Sequence, residues 1–348
     1  MRFYVGTYTS KGAAGIYHCD FDPSTGSFGN LTAAAKAVNP TFVTQDPTGR
    51  RLYAVDETDS GQITAFSIDS GSGQLQLLNR QPTNGAGPCH ISIDSTGQCA
   101  LVANYASGSV AAFKLQPDGR LSPPSTFLQH HGNGPDKSRQ KGPHAHCILP
   151  DPIGRFALSC DLGTDQVLIY QLDPATASLR PNTPPFASVA PGAGPRHIKF
   201  HPTGPFAYVI TELGNTICAF RYDGSAGTLT PIQTISTLAP NFTGVSYAAE
   251  LCFHPNQRIL YASNRGEQTI AVFSVDPENG RLKFLSRHSC GGKHPRNFTV
   301  DPTKQFLIVA NQDTNNILSF KIDPTTGALS PATGEIEVPA PVCVLFAK

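Results

Sequence analysis

Four side chains carry the chemistry this sequence can offer: the imidazole of His146, the carboxylate of Glu212 and the guanidiniums of Arg196 and Arg265. Imidazoles and carboxylates exchange protons with a reacting group, and guanidiniums hold anions through charge-assisted hydrogen bonds. Around them His144, Arg296, Lys293, Tyr105, Gln312 and Glu250 are candidate substrate-binding residues. These positions are scattered along the chain. Only a fold that returns repeatedly to one place can gather them.

The chain contains such a repeat. Turns of the pattern Asp-Pro-x-x-Gly-x-Leu, some degenerate, begin at Asp22, Asp69, Gln116, Asp173, Asp223, Asp276 and Asp323, at intervals of 47 to 57 residues. A second series, Asp/His-Pro-x-Gly, begins at Asp46, Asp94, Asp151, His201, His254 and Asp301 with the same spacing. Asp bonds its own backbone, Pro presets φ and Gly accepts positive φ, so each pattern marks a tight turn. Two interleaved series of one period mean one unit of about 50 residues repeated seven times over 348 residues.

Between the turns lie short alternating or β-branched runs such as RLYAVDE, ALVANYA, QTIAVFSV and NILSFKI, which read as four strands per repeat. That is the pattern of an all-β, seven-bladed β-propeller with four antiparallel strands per blade, residues 1–348 forming one domain. The C-terminal APVCVLFAK matches the first strand of a blade and the N-terminal RFYVGTYT the second. The last blade is therefore expected to pair the two termini and close the ring. With strands A to D running outward from the channel, the Asp-Pro turns fall on one face. The D-to-A and B-to-C loops fall on the other, and the longest, HHGNGPDKSRQKGP, is among them. A site is expected on that face, at the starts of A strands and the ends of B strands.

Comparing the repeats picks out the candidates. At the end of strand B, Thr7, Asp56, Asn104, Asp161, Thr211, Asn264 and Asn311 are all small polars, read as caps of the loop backbone. The next position, Tyr8, Glu57, Tyr105, Leu162, Glu212, Arg265 and Gln312, has no common chemistry. Neither has the start of strand A: Thr41, Cys89, His146, Arg196, Ala249, Arg296 and Val342. The residue after each of these, including His90, His197 and Glu250, is expected to point the other way. Counted from the blade opened by Thr41, His146 lies on blade three, Arg196 and Glu212 on blade four and Arg265 on blade five. All four face one mouth of the channel, with more cation than anion, as an anionic ligand requires. The alternative is a structural salt bridge, Arg196–Glu212, at a wet rim. His90 and His197 read as inter-blade hydrogen-bonding residues, and His130 and His131, in a Gly-rich loop, as solvated. A metal site from His130, His131, His144 and His146 matches no strong ligand spacing.

Composition excludes several classes. Net charge is +1 with no basic block, which gives nucleic acid nothing to grip. No apolar run approaches the ~18 residues of a membrane helix. The nine cysteines are an odd number scattered singly in apolar runs, so reduced thiols and a cytoplasmic location are expected. The N-terminal MRFYVGTYTS enters a strand without an apolar signal core. The Gly-rich stretches are followed by no helix, so they form no phosphate loop.

The segments RQKGPHAHC, DLGTDQVLIYQLD, GPRHIKFHP, AAELCFHP, LYASNRGEQTIAVF and HPRNFTVDP resemble, in order and spacing, the seven-bladed lactonase family, which includes propeller-type 6-phosphogluconolactonases and fungal carboxy-cis,cis-muconate cyclases. The resemblance implies a cofactor-free enzyme with its site at the channel mouth. In the cyclase branch a His, two Arg and a Glu form the proposed cluster. By motif they fall on His146 in GPHAH, with His144 as the alternative, Arg196 in GPRH, Glu212 in ITELG and Arg265 in SNRG. Hydrolysis of a small anionic lactone needs an activated water and a cation facing the oxyanion. Glu212 or His146 is then the base and Arg196 or Arg265 the oxyanion partner. A remaining Arg, with Lys293 or Arg296, would hold a phosphate. Cycloisomerisation of a carboxymuconate would use the same parts. Members with the long loop before GPHAH point to 6-phosphogluconolactone, a sugar-phosphate lactone. A non-enzymatic binding scaffold is the remaining reading. It would show exposed aromatics on one face, and the chain has no Trp.

Overall fold

A computed structural model describes residues 1–348. The strands form seven four-stranded antiparallel sheets, and the only helical element is the 3₁₀ turn Thr9–Lys11. Each sheet is a blade, and in six of the seven the consecutive strands are hairpin partners, as the turn periodicity predicts. Asp side chains build the A-to-B turns. Asp151 Oδ1, for example, accepts the backbone N–H of Arg155 and Phe156 at 2.8 and 2.9 Å. Where His replaces Asp, the turn is also tied to the next blade: His201 Nδ1 accepts from Gly204 N at 2.8 Å and Nε2 donates to Gln257 O at 3.1 Å.

The closing blade is the expected composite. Its inner strand is Pro341–Phe346 and its other three are Arg2–Thr7, Gly15–Asp22 and Ser27–Lys36. Phe3 pairs with Phe346 and Val5 with Val344 in the ladder between the termini.

The apolar core is divided into seven clusters, one between each pair of neighbouring blades. The cluster between blades three and four, for instance, packs Leu158, Cys160 and Ile169 against Ile198, Val209 and Phe220. All nine cysteines are free thiols, and eight are buried. Buried tyrosines on B strands add a polar latch. Tyr4, Tyr53, Tyr208 and Tyr261 donate to Gly73, Gly119, Gly280 and Gly327 carbonyls of the next blade's outer turn at 2.9 to 3.1 Å. No helix is long and apolar enough to cross a membrane.

One irregularity recurs at the channel. In blades two, three, four and six and in the closing blade the A-to-B ladder skips one residue, and the residues skipped are Cys89, His146, Arg196, Arg296 and Val342. These are β-bulges, which re-aim a side chain out of the regular alternation. The expectation that the following residue points the other way does not hold at three positions, whereas His90, Glu250 and Cys343 line a separate cleft. Phe42, His197 and Asn297 line the same cavity as Thr41, Arg196 and Arg296 beside them.

Candidate active site

The bulged positions converge on a small, enclosed cavity lined by Thr41, Cys89, His146, Arg196, Arg296 and Val342, six of the seven aligned starts of strand A. At its rim Glu212, the residue after the B strand Phe206–Thr211, is the hub of an ionic cluster. Its Oε2 lies 3.0 Å from Arg196 Nε and 2.6 Å from Arg265 Nη2, and its Oε1 lies 2.6 Å from Arg139 Nη2. Burial pushes this carboxyl up, but the guanidiniums of Arg265, Arg196 and Arg139 outweigh it and hold Glu212 well below the usual carboxylate range. The rim is not wet, as the sequence reading had it: the Arg196 and Glu212 side chains are 2% and 5% exposed.

His146 is differently placed. Its Nδ1 lies 3.8 Å from Cys89 Sγ, and its Nε2 makes no hydrogen bond to the protein. The ring lies edge-on to His197 at 5.3 Å and to Tyr105 at 5.4 Å. Burial, then the charges of Arg196 and its cationic neighbours, push its pKa far below 6.5, so the imidazole is neutral. His144 stacks on Tyr105 at 4.6 Å and donates Nδ1–H to the Tyr105 carbonyl at 2.9 Å, half-exposed on the rim. Arg296 lies over the Tyr8 ring at 5.5 Å and donates to its hydroxyl at 3.2 Å. Tyr8 in turn donates to Glu57 at 2.8 Å. Arg196, Arg265 and Arg139 each have a carboxylate partner within ion-pair distance; Arg296 has none.

The structure thus brings together His146, Arg196, Glu212, Arg265 and Arg296, with Tyr105 and His144 beside them. Other candidates lie apart. Glu250 sits deeper in the channel, bonded to His197 Nδ1 at 3.1 Å and Asn297 Nδ2 at 2.7 Å. Lys293 is exposed on its loop and forms no ion pair, and Gln312 Nε2 bonds Asp313 Oδ1 at 3.0 Å. His197 bridges blades four and five as the sequence suggested, and His90 lies 3.5 Å from Cys147 Sγ of blade three.

His130 corrects its sequence reading. It is buried, with Nδ1 2.6 Å from Asp161 Oδ2 and Nε2 2.8 Å from the Tyr170 hydroxyl. The loop it opens is anchored, and that loop delivers Arg139, which comparison of the repeats could not find because no other blade has an equivalent position. The signal was the 57-residue interval that the insertion produces. Tyr247, whose ring lies 5.2 Å from Arg139 and 5.9 Å from Arg265, left none. Wider clefts lie elsewhere, around Arg50 and Arg51 and around Arg258 and Leu285, but neither contains an imidazole.

Residues 2–346 match the family model described as "Lactonase, 7-bladed beta-propeller". The chain belongs to that family. It is a lactone-hydrolysing enzyme, a carboxylic-ester hydrolase. This lactonase is 40% identical over 344 residues to the 6-phosphogluconolactonase of Bacillus subtilis (strain 168), an alignment covering 99% of this chain and 97% of that protein. It is 34% identical to the 6-phosphogluconolactonase of Formosa agariphila, over 96% of each chain. The solved structure of the Pseudomonas aeruginosa periplasmic gluconolactonase PpgL superposes with a TM-score of 0.95 at 31% identity, covering 100% of this chain and 99% of that one. Membership sets aside the non-enzymatic scaffold.

Proposed function

We propose that this lactonase hydrolyses 6-phosphogluconolactone to 6-phosphogluconate, with His146 as the base that activates water. The observation that carries the reading is the contrast between the two base candidates. Glu212 is committed to three guanidiniums, whereas His146 is neutral and its Nε2 is free, in a cavity shared with Arg196 and Arg296. Water gives its proton to His146 Nε2 as its oxygen bonds to the lactone carbon. The carbonyl electron pair moves onto oxygen, facing Arg296, the guanidinium without a carboxylate partner. The intermediate collapses by breaking the bond to the ring oxygen, which takes the proton from the imidazolium. Arg196 and Arg265, fixed by Glu212, keep the cavity cationic throughout.

Charge supports the phosphorylated substrate. Arg139, Arg196 and Arg265 share the single carboxylate of Glu212, and Arg296 has no carboxylate within ion-pair distance, an excess of cation suited to a phosphate monoester. Relatives bear names for both phosphorylated and unphosphorylated gluconolactones, so the experiment is a substrate panel. Acid release from 6-phosphogluconolactone, gluconolactone and carboxymuconolactone is followed against buffer. The phosphorylated lactone should give the highest kcat/KM; a rate equal to buffer on it would refute the assignment.

A further inference from the structure

Arg139 is the one guanidinium of the cluster that the repeat does not supply. It stands in residues 130–143, between blades two and three, and this loop is fixed at both ends. At one end His130 is held between Asp161 and Tyr170. At the other, the buried Gln140 donates Nε2–H to Leu162 O and Asp165 Oδ1, both at 2.8 Å, and accepts from Asp136 N at 3.1 Å. Gly163 lets the loop's end pass close by, because a Cβ there would collide with the Gly142 carbonyl oxygen. Between the anchors, Asp136 Oδ1 accepts the N–H of Ser138 and Arg139 at 2.8 and 3.1 Å, which turns Arg139 inward.

Arg139 also differs from its neighbours in exposure. Its side chain is 30% exposed, against 2% for Arg196 and 7% for Arg265. Glu212 binds those two through Oε2 and Arg139 through Oε1, so the carboxylate stays neutralised without Arg139. The Tyr105 ring joins Arg139 to the His146 cavity: its centre lies 5.4 Å from that of the His146 ring and its hydroxyl 3.3 Å from Arg139 Nη2. One tyrosine ring is the kind of span that separates the lactone carbonyl of a hexonolactone from its C6 substituent.

We propose that Arg139 binds the phosphate remote from the lactone carbonyl and so sets a preference for phosphorylated over unphosphorylated sugar acids and lactones. The inference rests on the substrate reading above, but its test does not need turnover. 6-Phosphogluconate and gluconate are titrated calorimetrically into wild type, R139Q, R139K and K293Q, with melting temperature recorded for each. The wild type should bind 6-phosphogluconate more tightly. R139Q should narrow the ratio of the two Kd values by about 10-fold or more, as loss of a charge-assisted contact requires, and R139K should restore part of it. Three results would overturn the proposal: no discrimination by the wild type, equal weakening of both ligands in R139Q, or selectivity lost in K293Q and kept in R139Q. A protein that discriminates through Arg139 yet leaves 6-phosphogluconolactone intact would keep this inference and refute the substrate reading.

Discussion

Arg196 Nε, on the inner strand of blade four, lies 3.0 Å from Oε2 of Glu212, which follows the neighbouring strand, and both side chains are buried. Breaking a buried pair leaves a charge without its partner and costs about 3–5 kcal/mol, whereas an exposed pair contributes about 0–1 kcal/mol. Glu212→Gln strips three guanidiniums of their common anion. It should lower unfolding free energy by about 3 kcal/mol or more, measured by denaturant titration. Arg120→Ala, which removes the exposed Arg120–Asp118 pair, is the comparator and should change it by less than about 1 kcal/mol. Equal, small effects would show that the cluster is not a stabilising centre.

The pH dependence of stability should have a definite sign. Burial lowers His197 to about 4 and holds His90 well below its usual value. As pH falls below ~6.5 the unfolded chain takes up protons that the folded histidines refuse, so stability present above that pH is lost towards pH 4. His90→Gln should flatten that acid slope. An unchanged slope would mean that His90 is not held neutral by the fold.

Activity should follow a related rule. His146, as the proposed base, would act only when unprotonated, and burial beside Arg196 keeps it so well below pH 6.5. Buffer-corrected kcat/KM should therefore be flat from about pH 6.5 upward through neutrality, with its acid limb displaced to lower pH. An acid limb centred near 6.5 would point to an unperturbed imidazole instead.

Ring closure is testable by deletion. Removing residues from Ala340 onward takes away the strand paired with Phe3–Thr7, together with buried Val342, Cys343 and Val344 and the Phe346 ring that lies 5.5 Å from Phe3. The truncated protein should aggregate or melt far below wild type, because it exposes a sheet edge and opens two inter-blade cores, to which Val344 and Cys343 belong. An unchanged Tm would contradict the pairing of the termini.

The architecture was legible because each blade repeats its turns, and Asp, Pro and Gly at fixed offsets leave the backbone few choices. Much of the candidate site was legible for the opposite reason: His146, Arg196 and Arg296 break a column that is otherwise Thr, Cys, Ala or Val. What alternation alone could not give was direction. At the bulges of Arg196 and Arg296 two successive residues, Arg196 with His197 and Arg296 with Asn297, line one cavity, and a period of two has no term for that. Arg139 lay in an insertion without a repeat to compare, and His130 looked solvated because its partners, Asp161 and Tyr170, come from another blade.

The most direct measurement is kcat/KM on 6-phosphogluconolactone for His146→Asn and His144→Asn beside wild type, with Tm recorded for each. A base with a free Nε2 should be worth about 10²-fold or more. His146→Asn should show that loss with little change in Tm, and His144→Asn, whose Nδ1–H is given to the Tyr105 carbonyl, a clearly smaller one. Near wild-type kcat/KM in His146→Asn would contradict the assignment of this imidazole as the base.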